Sequence, residues 1–254
     1  MILSRLGNKQ KMSKEIQNHF PNHRIYIEPF FGAGGMYFNK PKVKYNFLND
    51  NDSDVFNLFN VISTKKDEFE ELFKIMPIDQ NLFEYWKDNK ETDEVRKAVR
   101  FVMLSNCSFL GQMNVLRHNC DRDKQRVFKY LDYTNKMIFD AHFMNLDFRK
   151  VLKSLLLKTT DKENAFIYCD PPYLGTCDNY EHSFKEKDSL DLFDILCDYG
   201  VRFAMSEFDH PFIIKQAEER GLNIIIIGER RNIKNRRTEI LITNYENRQQ
   251  SLFA

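Results

Sequence analysis

Asn164-Ala165-Phe166-Ile167-Tyr168-Cys169-Asp170-Pro171-Pro172-Tyr173 is an apolar run that ends in a proline-stiffened turn. The run reads as a buried strand, so the last four residues sit where a strand leaves its sheet. Open α/β sheets bind ligands outside the carboxyl ends of their strands. The turn suits an amino group on a flat ring: Asp170 offers carboxylate acceptors, Pro171 a carbonyl, and Tyr173 a ring for stacking. Pro171 and Pro172 stiffen the turn that aims those acceptors. Taken alone, an ordinary proline-rich turn explains the same residues.

Upstream, Ile25-Tyr26-Ile27-Glu28-Pro29-Phe30-Phe31-Gly32-Ala33-Gly34-Gly35 reads as a strand running into a glycine-rich turn and then a helix. Glycine lets backbone approach a ligand closely, which suits a nucleoside-bearing cofactor at the end of a first strand. The spacing is not the G-x-G-x-x-G dinucleotide fingerprint, and Gly7-Asn8-Lys9 is not a P-loop. A second apolar run, Tyr45-Asn46-Phe47-Leu48, ends in Asn49-Asp50. An acid there, about 20 residues after the glycine loop, is placed to hold a ribose diol.

In this order the chain resembles the Dam-type (D12 class) DNA adenine N6-methyltransferases, which use S-adenosylmethionine. Leu6-Gly7-Asn8-Lys9-Gln10, Glu28 to Gly35, Leu48-Asn49-Asp50, Asn145-Leu146-Asp147-Phe148, Asp170 to Tyr173 and Thr238 to Tyr245 carry the likeness. It implies an α/β fold: a Rossmann-like S-adenosylmethionine-dependent methyltransferase sheet with a helical target-recognition insertion. Residues 1–55 and 138–254 are expected to form the catalytic domain, and residues 56–137 the DNA-binding insertion. The resemblance assigns Asp170, Pro171, Pro172 and Tyr173 to catalysis. It assigns Arg5, Lys9, Glu28, Phe30, Gly32, Gly34, Asp50, Asp147, Phe148 and Asp170 to the cofactor. The family usually carries an aromatic residue at the position of Arg5. A solvated lysine is the alternative for Lys9, and a helix N-cap is an additional role for Asp147.

The implied chemistry needs no metal, because the methyl group of a sulfonium is already electrophilic. The adenine amine is the weak partner, its lone pair delocalised into the ring. Acceptors at Asp170 and Pro171 favour the pyramidal nitrogen of the transition state. Tyr173 is then a platform for an adenine rotated out of the duplex. A covalent role for Cys169 is rejected, since the residue ends a buried strand and free cysteines there behave as small apolar groups.

The chain has 254 residues, 42 % hydrophobic and 30 % charged, with net charge +1. That is a folded chain with room for a full core and no global basic field, so nucleic-acid binding has to come from local patches. Arg230, Arg231, Lys234, Arg236 and Arg237 cluster between two expected strands and suit phosphates; a solvated turn is the alternative. Asn114, Arg117, Arg122, Lys124 and Arg126 lie in a polar stretch, about 106–136, read as irregular, where the family places target recognition. The family's Phe-Asn-x-Pro-x-Gly stretch is absent, and Ser206-Glu207 stands where Ser-Asn is usual, so GATC is not assumed as the target.

No apolar run is long enough to cross a bilayer and no signal-peptide core is present. Five cysteines without C-x-x-C spacing read as reduced thiols of a cytoplasmic protein. His118 and Cys120 lack a second ligand pair and read as a surface loop. The expected partners are double-stranded DNA and, for a modification enzyme, a cognate restriction endonuclease; a monomer or weak dimer is expected. Methylation of an RNA amine or a protein amide, or a DNA-binding relic without catalysis, are the alternatives.

Overall fold

The structure is a computed structural model that describes residues 1–5, 7–175, 184–231 and 236–246. The strands are β1 (Ile25–Glu28), β2 (Tyr45–Asn49), β3 (His142–Met144), β4 (Ala165–Cys169), β5 (Arg202–Phe208), β6 (Asn223–Arg231) and β7 (Arg236–Thr243). The α-helices are α1 (Ser13–Gln17), α2 (Ser53–Thr64), α3 (Lys66–Ile75), α4 (Gln80–Asp88), α5 (Glu94–Asn106), α6 (Asp121–Ile138), α7 (Phe148–Ser154), α8 (Thr159–Glu163), α9 (Glu186–Tyr199) and α10 (Pro211–Glu219). The chain divides into a helical unit, residues 1–11, 31–42 and 50–145, and a sheet unit, residues 12–30, 43–49 and 146–254. The insertion expected at 56–137 falls inside the helical unit, which also takes in the N-terminal stretch and the glycine loop.

Among the described residues, six of the seven strands belong to the sheet unit, in the order β2-β1-β4-β5-β7-β6. β2, β1, β4 and β5 run parallel, while β7 lies antiparallel to both β5 and β6. The mixed α/β architecture is the expected Rossmann-like one. β4 lies between β1 and β5, and all five of its residues are buried. A central parallel strand is covered on both faces, which is why it reads as a continuous apolar run rather than an alternation. From β1 the chain steps to β2 on one side, and from β4 to β5 on the other. The strand order therefore reverses between β1 and β4, and the crevice at such a reversal is where open α/β sheets take ligands.

The helical unit is held by aromatic and aliphatic side chains. Phe31, at the edge of the glycine loop, meets Phe59 edge-on (4.9 Å between centroids) and Phe143 (5.1 Å), while Phe59 and Phe143 stack at 5.6 Å. Aspartates start the helices: Asp52, Asp79 and Asp93 each accept a backbone N–H from the first turn of α2, α4 and α5.

Two expectations need correcting. No α-helix follows Gly35; a 3-10 turn at Tyr37–Asn39 stands there instead. Pro41 disfavours helical backbone at Lys40, which is extended (ψ 158°), so the turn cannot propagate. The stretch 106–136 is not irregular throughout, because α6 begins at Asp121. Its buried stripe (Val127, Leu131, Thr134, Met137, Ile138) is set among charged residues that mask the helical period. Short α4 also escapes the sequence pattern, with only Phe83 and Trp86 buried to mark it. Among the described residues no helix is long and apolar enough to cross a membrane.

Candidate active site

In the sheet unit, β1 and β4 deliver their last residues to the switch point. Glu28 closes β1, is 2 % exposed, and accepts a hydrogen bond from the Tyr26 hydroxyl (2.9 Å). Burial, then the neighbouring Glu28 charge, pushes the Tyr26 pKa well above its ordinary value. Asp170, half-buried, follows β4 directly, with Pro171 buried behind it. Tyr173 is 8 % exposed; its hydroxyl donates to Glu239 Oε1 and its ring meets Phe208 edge-on at 4.6 Å. Burial first, then the charges of Asp170 and Glu239, raises the Tyr173 pKa well above the usual phenol range. Cys169 is fully buried, and burial raises its thiol pKa well above normal, which suppresses the thiolate a covalent role would need.

Phe30 and Phe148 pack against each other in the same unit, their rings tilted by 36° with centroids 5.4 Å apart. Asp147 caps α7 by accepting Arg149 N–H (2.9 Å), so the N-cap role is filled. Its carboxylate also meets the Arg149 guanidinium (3.2 Å), which lies over the Phe148 ring at 4.4 Å and bonds Asp188 and Asp191 of α9. Arg149 thus fixes both members of the Asp147-Phe148 pair, a role the sequence did not disclose.

In the helical unit, the glycine loop and Asp50 form one structure. Gly32 N–H donates to Asp50 Oδ2 (2.6 Å), and Asp52 N–H to Asp50 Oδ1 (2.9 Å). Each carboxylate oxygen retains a lone pair for a further donor. Burial raises the Asp50 pKa, opposed by the Arg5 charge and by the two backbone hydrogen bonds. Arg5 itself is paired with Asp52 at 2.6 Å. Gly34 has φ +73°, and a Cβ there would come within 2.7 Å of Phe31 and closer still to Phe38. Gly32 (φ +55°) faces open space, with nothing within 4 Å of a Cβ position. Lys9 is 3 % exposed, so the solvated-lysine alternative does not hold.

The basic residues are distributed unevenly. Within the helical unit, Arg117 donates to Asn106 O (3.3 Å) and pairs with Asp123, which also holds Arg126 at 3.1 Å. Arg126 reaches Ser4 Oγ (2.6 Å), and Lys124 donates to the carbonyls of Lys74 (3.0 Å) and Met76 (2.6 Å). Asn114 and Arg122 are exposed. In the sheet unit, the antiparallel ladder of β6 and β7 sets Arg230 opposite Arg237 and Arg231 opposite Arg236. These arginines therefore end two paired strands rather than forming the turn. Arg237 lies over the Phe208 ring (5.2 Å) and reaches Gly175 O (3.5 Å). Lys234 lies outside the described residues.

Comparison with known proteins shows the family. The model of the D12 class N6 adenine-specific DNA methyltransferases matches residues 6–240. The chain belongs to that family and is a DNA adenine methyltransferase. It is 26 % identical over 283 aligned positions to the type II methyltransferase M1.LlaDCHI of Lactococcus lactis subsp. cremoris, covering 95 % of this chain and 94 % of that one. The DNA adenine methylase of Haemophilus influenzae is 30 % identical over 190 positions, covering 66 % of this chain and 61 % of that protein. The DNA adenine methylase of Vibrio cholerae is 24 % identical over 236 positions, covering 87 % and 78 %.

Sequence reasoning missed Glu207 and Glu239. A signal for both was present: Glu207 follows Phe203-Ala204-Met205-Ser206 in β5 and Glu239 precedes Ile240-Leu241-Ile242 in β7, where a buried carboxylate has to be held by specific donors.

Proposed function

We propose that the chain transfers a methyl group from S-adenosylmethionine to N6 of an adenine rotated out of double-stranded DNA. The observation that carries this is Asp170-Pro171-Pro172-Tyr173 leaving fully buried β4 at the strand-order reversal, with Tyr173 anchored at both ring and hydroxyl. The cofactor supplies an electrophilic methyl on sulfonium. The residues fit such a group: Gly32 leaves open space beside Asp50, whose spare lone pairs suit a ribose diol. To the cofactor we assign Gly34 and buried Lys9 in the helical unit, Lys9 for its carboxylate, and Glu28 and Phe30 in the sheet unit. To Asp147 and Phe148 we assign its adenine ring. Arg5 is held by Asp52 and acts on Asp50 through its charge.

Asp170 and the Pro171 carbonyl accept hydrogen bonds from the target amine and aim its lone pair at the methyl. Asp170 need not be a strong base, since the amine turns acidic only once methylated. Pro172 keeps the turn rigid, and Tyr173 receives the flipped base. The arginines of β6 and β7, with Lys234, suit phosphates, while Asn114, Arg117, Arg122, Lys124 and Arg126 of the 56–137 insertion suit target recognition. A cytoplasmic setting and a cognate restriction endonuclease fit the type II name of the Lactococcus protein. Labelled methyl transfer from S-adenosylmethionine tests the substrate: incorporation into duplex DNA and not into RNA is expected. Labelling of RNA alone moves the assignment to that substrate.

A further inference from the structure

Two buried carboxylates stand behind the Asp170–Tyr173 turn. Glu239 in β7 is 0 % exposed and Glu207 in β5 is 1 % exposed. Carboxylates at this depth are tolerated where hydrogen bonds replace their water, and here donors come from Tyr173, from Leu174 just past the turn and from β5 itself. Phe208 and Glu239 are directly opposite in the ladder of β5 and β7, and Tyr173 rests on that pair, ring on Phe208 and hydroxyl on Glu239. Gly228 lies opposite Glu239 on its other side, next to an irregularity in the β6–β7 register. Glu207 uses both oxygens: Oε1 accepts Leu174 N–H (3.1 Å), just past the turn, and Oε2 accepts Phe208 N–H (2.8 Å).

We propose that Glu239 and Glu207 are positioning residues for methyl transfer, a role that rests on the catalytic assignment of Asp170–Tyr173. Glu239 fixes the plane of the Tyr173 ring through its hydroxyl. Glu207 fixes the path of the backbone where the turn ends. A ring held at its edge and at its hydroxyl presents one face in one orientation, so a base arriving on it is aligned without a further ordering step. The two acids differ in how far an amide replaces them. At 239 a glutamine still offers one acceptor to Tyr173. At 207 a glutamine sets its NH₂ against one of two backbone N–H groups, so the carboxylate itself is required.

The test measures kcat and KM, for duplex DNA and for S-adenosylmethionine, in purified full-length wild type, Glu239→Ala, Glu239→Gln, Glu207→Gln, Tyr173→Phe and Tyr173→Phe/Glu239→Gln. Thermal melts establish which variants are folded. Glu239→Ala is expected to lower kcat about tenfold or more with KM for the cofactor unchanged, as for an interaction realised in the transition state. Glu239→Gln recovers most of that loss, whereas Glu207→Gln itself lowers kcat, and wild-type kcat in Glu207→Gln removes Glu207 from the inference. Tyr173→Phe/Glu239→Gln is no slower than Tyr173→Phe alone, because both changes act on one hydrogen bond. Wild-type kcat in folded Glu239→Ala overturns the inference. Multiplying losses in the double variant overturn it too, even if Glu239→Ala fails to fold. Wild-type protein that transfers no methyl group to DNA, or active Asp170→Ala, strikes the catalytic assignment instead.

Discussion

The turn after β4 and the stretch between α5 and α6 are both expected to handle DNA, yet they are built in opposite ways. Around Asp170–Leu174 the Tyr173 hydroxyl and the Leu174 N–H are buried, and their anchors come from β5 and β7, distant in sequence. Across 107–120 the chain is largely exposed: Phe109 and Val115 are each 64 % exposed, and the stretch is tied to itself by a bridge from Ser108 to Leu116 and by hydrogen bonds such as Arg117 N–H to Cys107 O (2.7 Å) and Met113 N–H to Ser108 Oγ (2.8 Å). Met113 and Asn119 take positive φ there (60° and 63°), a backbone that non-glycine residues seldom adopt. Chemistry needs acceptors at fixed positions, and such positions come from buried hydrogen bonds. Recognition needs donors that can reach an edge of a base, and those sit on a surface that can vary without disturbing the turn.

The largest expected effect lies in the buried region. Asp170→Ala removes the acceptor that orients the amine and lowers the methylation rate by ~3 kcal/mol or more, about a hundredfold, without loss of fold. Steady-state kinetics beside a thermal melt check this; turnover near wild type removes Asp170 from the chemistry. Next, neutralising Arg230, Arg231, Arg236 and Arg237 weakens binding to every duplex alike. The slope of log affinity against log salt falls by about 0.9 for each phosphate that the variant no longer neutralises. A change in sequence preference in that variant instead reassigns recognition to the β6–β7 hairpin.

Asp50→Ala weakens S-adenosylmethionine binding by ~1.5–3 kcal/mol and DNA binding much less, as read by calorimetry. Burial raises the Asp50 pKa, so as pH falls its protonation sets in above the ordinary aspartate value of about 3.9. Cofactor affinity therefore declines on the acid side, and Asp50→Asn flattens that decline. The folded chain holds this proton more readily than the unfolded one, so ionising Asp50 costs stability as pH rises through the same window.

The exposed stretch gives the smallest effects. Asn114→Ala relaxes discrimination at one base pair by ~1–3 kcal/mol while leaving the salt slope unchanged. Competition binding on cognate and scrambled duplexes measures both quantities. Arg117→Ala is a less clean probe, because it also breaks the pair with buried Asp123. That change costs about 1 kcal/mol of stability, small because the Arg117 side chain is 44 % exposed.

Elements whose signal is local were legible in the sequence. β4 showed as an unbroken apolar run and β1 as a strand before glycines. α6 was not, because charged residues crowd its thin buried stripe. In the candidate site, Asp170-Pro171-Pro172-Tyr173 announced its acceptors and its ring. That Asp50 ties down the Gly32 N–H, that Asp188 and Asp191 hold Arg149, and that Glu239 meets Tyr173 depend on residues far apart in the chain. Spacing along a sequence carries no such information; strand register does.

The central claim is that the turn after β4 carries adenine methylation. Its most direct test expresses wild type and Asp170→Ala in a methylation-free host and maps modified adenines by long-read sequencing. Wild type is expected to mark N6-methyladenine at one recurring DNA sequence, and Asp170→Ala to leave the genome unmarked. An unmarked genome with wild type, or equal marking by both proteins, would contradict it.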